Sequence, residues 1–205
     1  MQQQTIQRET HFWERSCQYY VVGRFAFMAG LHPVAANLLH HAVEFALKGA
    51  LARNKTLKDL RNQLHKLPDL WTTFKAEIAD GALGSFDPVI ATLHSHWSLR
   101  YPDDVLKNGM EVVHTTHRTT IPDGFPRRTP PAHLLPPEIA AQISERLAAL
   151  PEVKQYETLC LQDVDELIEG IFDAAKRNPR QFFNGMNPKA LQTLAEGNFA
   201  AGLLK

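Results

Sequence analysis

The chain has 205 residues, of which 44% are hydrophobic, and its 22 basic residues balance 22 acidic ones. This length suits one domain of ordinary size with an insertion, and the hydrophobic content is normal for a protein with a packed core. The charge balance excludes a whole-molecule field that would attract nucleic acid or anionic lipid, so any such binding requires a local patch.

Targeting signals and disulfides are not indicated by the sequence. The two cysteines, Cys17 and Cys160, lie far apart and form no CxxC pair. The first residues are polar and charged, unlike a secretory signal peptide, and no apolar run approaches the roughly 18 residues that span a bilayer. We therefore expect a cytoplasmic protein with no membrane partner.

A polar tail over residues 1–10 is predicted to precede a first helix over residues 11–30. Trp13, Cys17 and Tyr20 recur at helical spacing and give this helix an apolar face. Small residues form a second seam along it: Ser16, Gly23, Ala26 and Gly30. Such a seam lets another backbone approach closely, either at a dimer interface or inside a helical bundle.

In the second predicted helix, residues 33–53, the polar residues carry the helical period. They occupy positions i, i+3, i+4, i+7 and i+11, which form one narrow stripe. This α2 stripe consists of Asn37, His40, His41, Glu44 and Lys48. Apolar residues cover the rest of the circumference, which is typical of a helix at the centre of a bundle.

Further helices are predicted near residues 67–78 and 87–100 from their apolar periodicity. Residues 110–121 are rich in β-branched side chains and predict a short strand or hairpin. The proline-dense residues 125–137 predict an exposed loop. Helical periodicity returns most clearly over residues 161–176, where acidic residues start the helix and basic residues end it, as the helix dipole favours.

Three of these segments resemble motifs of the HEPN domain family (higher eukaryote and prokaryote nucleotide-binding domain). Residues 40–48, HHAVEFALK, resemble its "QAxExxLKA" signature. Residues 64–70, LHKLPDL, are similar to its "HDL" turn, and residues 100–103, RYPD, resemble the motif that ends its third helix. The motifs occur in the family's order.

The resemblance implies an all-α fold, an antiparallel up-and-down bundle of four to five helices that often forms a homodimer. Residues 11–103 would supply the first three helices, and residues 161–205 the closing core helix and a C-terminal helix of the same domain. Residues 104–160 would then be an insertion that carries the short β-hairpin and the proline-rich loop.

The resemblance also implies a role in RNA or nucleotide biology, as a ribonuclease or as a non-catalytic partner of a nucleotidyltransferase or defence protein. Ribonuclease members carry an arginine, four to six residues and then a histidine on one helix. Here seven residues separate Arg24 from His32, and three separate Arg61 from His65. A third pair, ending at His133, is interrupted by two prolines, so no helix can align it.

These spacings predict a non-catalytic module that binds RNA, a nucleotide or a protein partner. A ribonuclease with an unorthodox site and a structural, dimer-forming protein without a ligand remain the alternatives. We expect no cofactor, because the sequence contains no glycine-rich phosphate loop and no recognisable Ser/His/Asp signature.

The α2 stripe allows two interpretations. Its side chains could line a groove for phosphate or a nucleobase, with Lys48 as the cation and a histidine as the acid–base group. They could instead form internal pairs, His40–Glu44 and Glu44–Lys48, each at i,i+4. The candidate ligand-binding residues are His40, His41, Glu44, Lys48, Arg24 and Arg100.

Arg24 lies on an otherwise apolar face, where a guanidinium requires a carboxylate partner, expected to be Glu44 or Glu14. Among the other histidines, His94 and His96 diverge on one helix and are expected at the surface. His114 and His117 face opposite sides of a strand, so we expect no metal site there.

Overall fold

The computed structural model describes residues 2–62, 66–78, 81–98, 110–118, 136–148, 155–183 and 185–191. Its helices are α1 (Gln2–Met28), α2 (His32–Leu51), α3 (Leu57–Asn62), α4 (Leu67–Ile78), α5 (Asp87–Ser98), α6 (Pro137–Ala148), α7 (Leu161–Ala174), α8 (Arg180–Phe183) and α9 (Pro188–Leu191), with a 3-10 helix over Gly81–Phe86. The strands are β1 (Met110–Thr115) and β2 (Gln155–Cys160). The described chain is mostly helical, which confirms the predicted class.

The long helix α1 begins earlier than predicted, because residues 2–10 are helical rather than a polar tail. Two of their side chains are anchored on later parts of the chain. Arg8 donates to the backbone carbonyls of Ala52 (2.6 Å) and Lys55 (3.1 Å). Glu9, only 6% exposed, accepts hydrogen bonds from Arg53 and Arg177. These contacts hold the first turns against the body of the protein.

The small-residue seam of α1 packs against α2 within the same chain. Ser16 Oγ donates to the carbonyl of Ala42 at 2.8 Å, which places early α1 beside late α2. At Gly23, a Cβ would lie 3.1 Å from side-chain atoms of Leu38 and Leu39, so only glycine permits this approach. The two helices are therefore antiparallel, and the seam serves packing within the fold, as the second interpretation required.

Helix α2 lies at the centre of the fold and packs against α1, α4, α5 and α7. Most of its apolar residues, including Leu39, Val43 and Leu47, are fully buried. The prediction that this is the central helix is confirmed, because apolar side chains around most of its circumference find neighbours on several sides.

The strand predicted from residue 110 is present, and its partner among the described residues is a strand that lies much later in the chain. β1 pairs in parallel with β2, in a register that runs from Met110–Gln155 to Thr115–Cys160. A parallel pair requires a crossover connection, and α6 lies between the two strands in the chain. β2 leads directly into α7, with Cys160 at the helix N-cap.

Several predicted features lie outside the described residues. They are Leu64 and His65 of the turn motif, residues 100–103 and most of the proline-dense loop. Within the described ranges, none of the helices is long and apolar enough to cross a membrane.

Candidate functional site

Glu44 is the centre of the α2 stripe and is almost completely buried. Its carboxylate accepts a hydrogen bond from Lys48 Nζ at 2.5 Å and lies 3.3 Å from His41 Nδ1. The exposed side-chain fractions of Glu44 and Lys48 are only 1% and 11%. Since a buried carboxylate needs compensating charge and hydrogen bonds, Lys48 and His41 stabilise Glu44 within the fold.

His40 is fully buried one turn away on the same helix. Its Nδ1 lies 3.0 Å from the carbonyl oxygen of Leu93 on α5, and a carbonyl can only accept, so Nδ1 carries the proton. Burial lowers the pKa of His40 to about 4, so the ring is neutral near pH 7. Its Nε2 stands 3.9 Å from Glu44, beyond hydrogen-bond distance, and this contact is therefore not an ion pair.

In the α2 stripe, Glu44 and Lys48 form the internal pair that the second interpretation predicts. His40 and Glu44 are in contact but do not form a hydrogen bond. His41 is more accessible than His40, Glu44 and Lys48, at 25%, and its ring lies 5.2 Å from that of Tyr19. The ligand-binding interpretation of His40, His41, Glu44 and Lys48 stays a prediction. In this fold the side chains of His40, Glu44 and Lys48 offer a ligand almost no surface.

Arg24 has a carboxylate partner, but it is neither Glu44 nor Glu14. Its Nε lies 3.2 Å from Asp165 Oδ2 on α7, and both side chains are buried. The hydroxyl of Tyr20 donates to the other oxygen of Asp165 at 2.5 Å. Asp165 therefore joins α1 to α7 through two partners that lie one helical turn apart.

Burial dominates the protonation behaviour of this triad. It raises the pKa of Asp165 above its usual range, against the opposing effects of the Tyr20 hydrogen bond and the Arg24 charge. It also raises the pKa of Tyr20 well above its ordinary value, and the neighbouring carboxylate adds to that shift. A triad this enclosed is a structural link between helices.

The sequence does indicate that Asp165 is buried, although the acidic residues beside it make this pattern hard to recognise. Asp165 shares the buried stripe of α7 with Leu161, Ile168 and Phe172, at i, i+4, i+7 and i+11. A single carboxylate on such a stripe indicates a buried partner cation. Arg24 is the corresponding cation on the apolar face of α1. The remaining candidate, Arg100, lies outside the described residues.

Three histidines from distant parts of the chain form a cluster that the sequence analysis did not predict. The rings of His32 and His114 are stacked, with centroids 4.4 Å apart and planes at 11°. His96 meets His114 edge-on at 5.7 Å. The expectation that His96 lies at the surface is wrong, since it is 3% exposed.

His94 is also not a surface residue. It is half-buried, and its ring lies 6.4 Å from that of His40. The divergence of His94 and His96 on α5 was predicted correctly, but both directions lead into the fold. No group of three or more His, Cys, Asp or Glu residues in the described ranges is arranged to hold a metal ion.

The outer side of the α1–α2 hairpin exposes large apolar side chains at every third residue through the turn. We call this set the hairpin face: Val22, Phe25, Met28, Leu31 and Val34, which are 52%, 56%, 47%, 53% and 55% exposed. Along the hairpin, a row of half-buried aromatic rings lies on the same two helices. Tyr19 stacks on Phe45 at 5.4 Å, and Phe12 stacks on Phe45 at 6.0 Å.

Comparison with protein-family models, with curated proteins and with solved structures found no match for this chain. The HEPN resemblance therefore rests on the three sequence motifs alone. Of these, residues 40–48 lie on α2 and residues 66–70 lie at the start of α4, while residues 100–103 fall outside the described ranges.

Proposed function

We propose that this chain is a non-catalytic, HEPN-like helical module, an antiparallel bundle that acts by binding protein, and that it forms a homodimer through the hairpin face. The observation that carries the proposal is the exposure of five large apolar side chains on that face, each close to one half. The resemblance adds the context, which is a process linked to RNA or nucleotides.

The area of the hairpin face supports a protein partner. Five half-exposed side chains of this size present roughly 500 Å² of apolar surface, near the upper end of what monomers usually expose. A stable interface takes roughly 800 Å² from each partner, so this face and its polar rim approach the required area. The adjoining half-buried ring of Tyr19 extends the surface toward Phe45.

The charge of this region favours protein over RNA as the partner. A groove beside the hairpin face is lined by Arg15, Gln18, Tyr19, Val22 and Leu38, with a single cation among them. Proteins that bind single-stranded RNA track its backbone with a positively charged groove, and their affinity comes largely from phosphate contacts. An apolar surface whose neighbouring groove holds one arginine lacks that charge.

The α2 stripe supports the non-catalytic part of the proposal. A general base must be accessible and must have a pKa near its operating pH. His40 is instead buried, and its pKa is lowered to about 4. Lys48 and His41 both lie within contact distance of Glu44. These groups are placed to hold the helix in the interior.

The homodimer is tested by replacing one member of the hairpin face with a charge. We expect light scattering to give a dimer mass for the wild type at micromolar concentration and a monomer mass for Phe25→Glu. Ile139→Glu on α6 is the matched control, because Ile139 is a comparably exposed apolar residue at 46% and should leave the dimer intact.

A monomer mass for the wild type across micromolar concentrations would refute the homodimer. A dimer that survives Phe25→Glu would place the interface elsewhere. Circular dichroism of both variants checks that a change in mass does not reflect unfolding.

The absence of catalysis is tested by incubating the protein with mixed RNA, with and without divalent metal. We expect no turnover above that of a heat-inactivated sample. Cleavage that is lost in His41→Ala would overturn the proposal in favour of the ribonuclease alternative.

A further inference from the structure

The histidine cluster lies beside a cavity at the end of the α1–α2 hairpin. The cavity has a volume of about 560 Å³. Its lining comes from the end of α1, the start of α2 and the end of β1: Phe27, Met28, Gly30, His32, His114, Thr115, Thr116 and His117. This volume is within the range of small-molecule sites.

The ionisable groups around the cavity are histidines. His32 comes from α2, His114 and His117 from β1 and its end, and His96 from α5 contacts the ring of His114. α1 contributes only the uncharged Phe27 and Met28. Among the described residues that line the cavity, there is no carboxylate. The described part of the lining thus offers imidazole groups and no negative side chain that would repel an anion.

Two buried polar atoms of the lining residues have no hydrogen-bond partner among the described residues. They are Nδ1 of His32 and Oγ1 of Thr115. A buried polar atom without a partner is unfavourable, and in native proteins such an atom calls for an explanation such as a bound ion. An imidazolium N–H and a hydroxyl are both donors suited to an anion.

The start of α2 adds a positive potential to the same end of the cavity. Leu31 is the N-cap residue and provides no side-chain capping bond, a proline follows, and the first turn contains no acidic residue. The positive end of a 20-residue helix is thus not neutralised by its own sequence. His32 is the first residue of this helix and also part of the cavity lining.

The opposite edge of the cavity is held in place by α7. The carbonyl of Thr116 accepts a hydrogen bond from Gln162 N at 3.2 Å. Arg118 Nε donates to Asp163 at 2.5 Å, and its guanidinium also binds Glu166. These contacts anchor the Thr115–His117 segment, so its donors are positioned before a ligand arrives.

We propose that this cavity binds a phosphoryl group, as inorganic phosphate or as a phosphomonoester. The donor side chains come from the start of α2 and from the end of β1, and the neighbouring helix end favours an anion. A metal ion fits poorly, because the nitrogen lone pairs of two parallel stacked imidazoles do not converge on one point. The volume exceeds the need of a bare phosphate, and Phe27 and Met28 offer an apolar wall to an attached organic group.

Met28 belongs both to the cavity lining and to the hairpin face. The proposal is tested by isothermal titration of the full chain at about pH 6. Phosphate is titrated first, and then phenyl phosphate, whose ring probes the apolar wall. We expect saturable binding of both ligands, because the lining offers donor side chains and, among the described residues, no carboxylate. Phenyl phosphate should bind more tightly than phosphate.

Variants locate the site. Thr115→Val keeps the shape of the side chain but removes the hydroxyl, and His32→Gln removes the imidazolium. Each should weaken phosphate binding by about tenfold or more, since hydrogen bonds to a charged ligand are strong ones. His11→Gln is the control, because His11 is an exposed histidine on the first turns of α1 and should bind like the wild type.

The proposal fails if no saturable phosphate binding occurs at about pH 6, or if Thr115→Val binds as tightly as His11→Gln. It also fails if Lys48→Ala loses binding while Thr115→Val retains it, because the phosphate would then belong to the α2 stripe. If His32→Gln does not fold by circular dichroism, Thr115→Val decides alone.

Discussion

The burial of His40 predicts a specific loss of stability in acid. The folded protein holds this histidine with a pKa of about 4, whereas the unfolded chain holds it near the ordinary value of 6.5. Because the folded pKa is the lower one, the unfolded state binds more protons between these values. The stability is therefore fully present above the unfolded pKa and is lost as the pH falls through this window.

The magnitude follows from the two pKa values. A difference of about 2.5 units corresponds to roughly 3 kcal/mol of unfolding free energy when the pH has fallen to about 4. Roughly 2 kcal/mol of this is already lost at about pH 5, where the folded protein still holds His40 almost entirely neutral. This is a large part of the stability of an ordinary domain.

Urea denaturation of the wild type and of His40→Gln at about pH 7 and about pH 5 measures this effect. Glutamine keeps a donor but does not titrate, so the variant lacks the His40 contribution to the acid loss. We expect the wild-type advantage over the variant to shrink by about 2 kcal/mol between the two pH values. The exposed His11→Gln variant should show no such change.

Two results would refute this reasoning. One is an advantage over His40→Gln that stays constant between about pH 7 and about pH 5. The other is a proton-NMR titration in which the His40 ring changes charge near the ordinary value for histidine, about 6.5.

Two further substitutions test how tightly the core is built. Asp165→Asn should reduce the unfolding free energy by about 3–5 kcal/mol, because it removes the charge of one member of the buried Arg24–Asp165 pair. A loss under about 1 kcal/mol in urea denaturation would contradict this. Gly49→Ala should destabilise the protein by about 1–2 kcal/mol, because its Cβ would lie 3.0 Å from the buried Trp13 ring, and this outweighs the better helix propensity of alanine. Gly84→Ala, with no atom within 4 Å of its Cβ, should be nearly neutral in thermal unfolding.

The helices could be predicted because their signals are local. In α2 the apolar residues recur around most of the circumference, and a central position is needed to bury most of them. The strand at Met110 was visible in its β-branched composition, but its partner was not. A parallel partner lies beyond a crossover, and nothing within the strand itself identifies Gln155 as the residue opposite Met110.

The candidate site was less predictable, because its contacts join residues far apart in the chain. Arg24 was expected to find a carboxylate, and the choice of Asp165 over Glu44 depends on how α7 crosses α1. The stack of His32 on His114 depends on where β1 meets the hairpin turn. Spacing along a helix constrains neighbours at i,i+4, as for Glu44 and Lys48, but it carries no information about such crossings.

The histidines of the α2 stripe and those at the end of the hairpin are not distinguished by the sequence, but their surroundings in the fold differ. In the α2 stripe, burial lowers the pKa of His40, and the carboxylate of Glu44 is in contact with Lys48 and His41. At the end of the hairpin, His32 and Thr115 retain buried polar atoms without partners among the described residues, beside a cavity with no carboxylate in its lining. A site for a ligand requires polar groups beside open space, and at the end of the hairpin such groups line a cavity of about 560 Å³. Anion binding is therefore expected at the hairpin end, even though the α2 stripe carries the more recognisable sequence pattern.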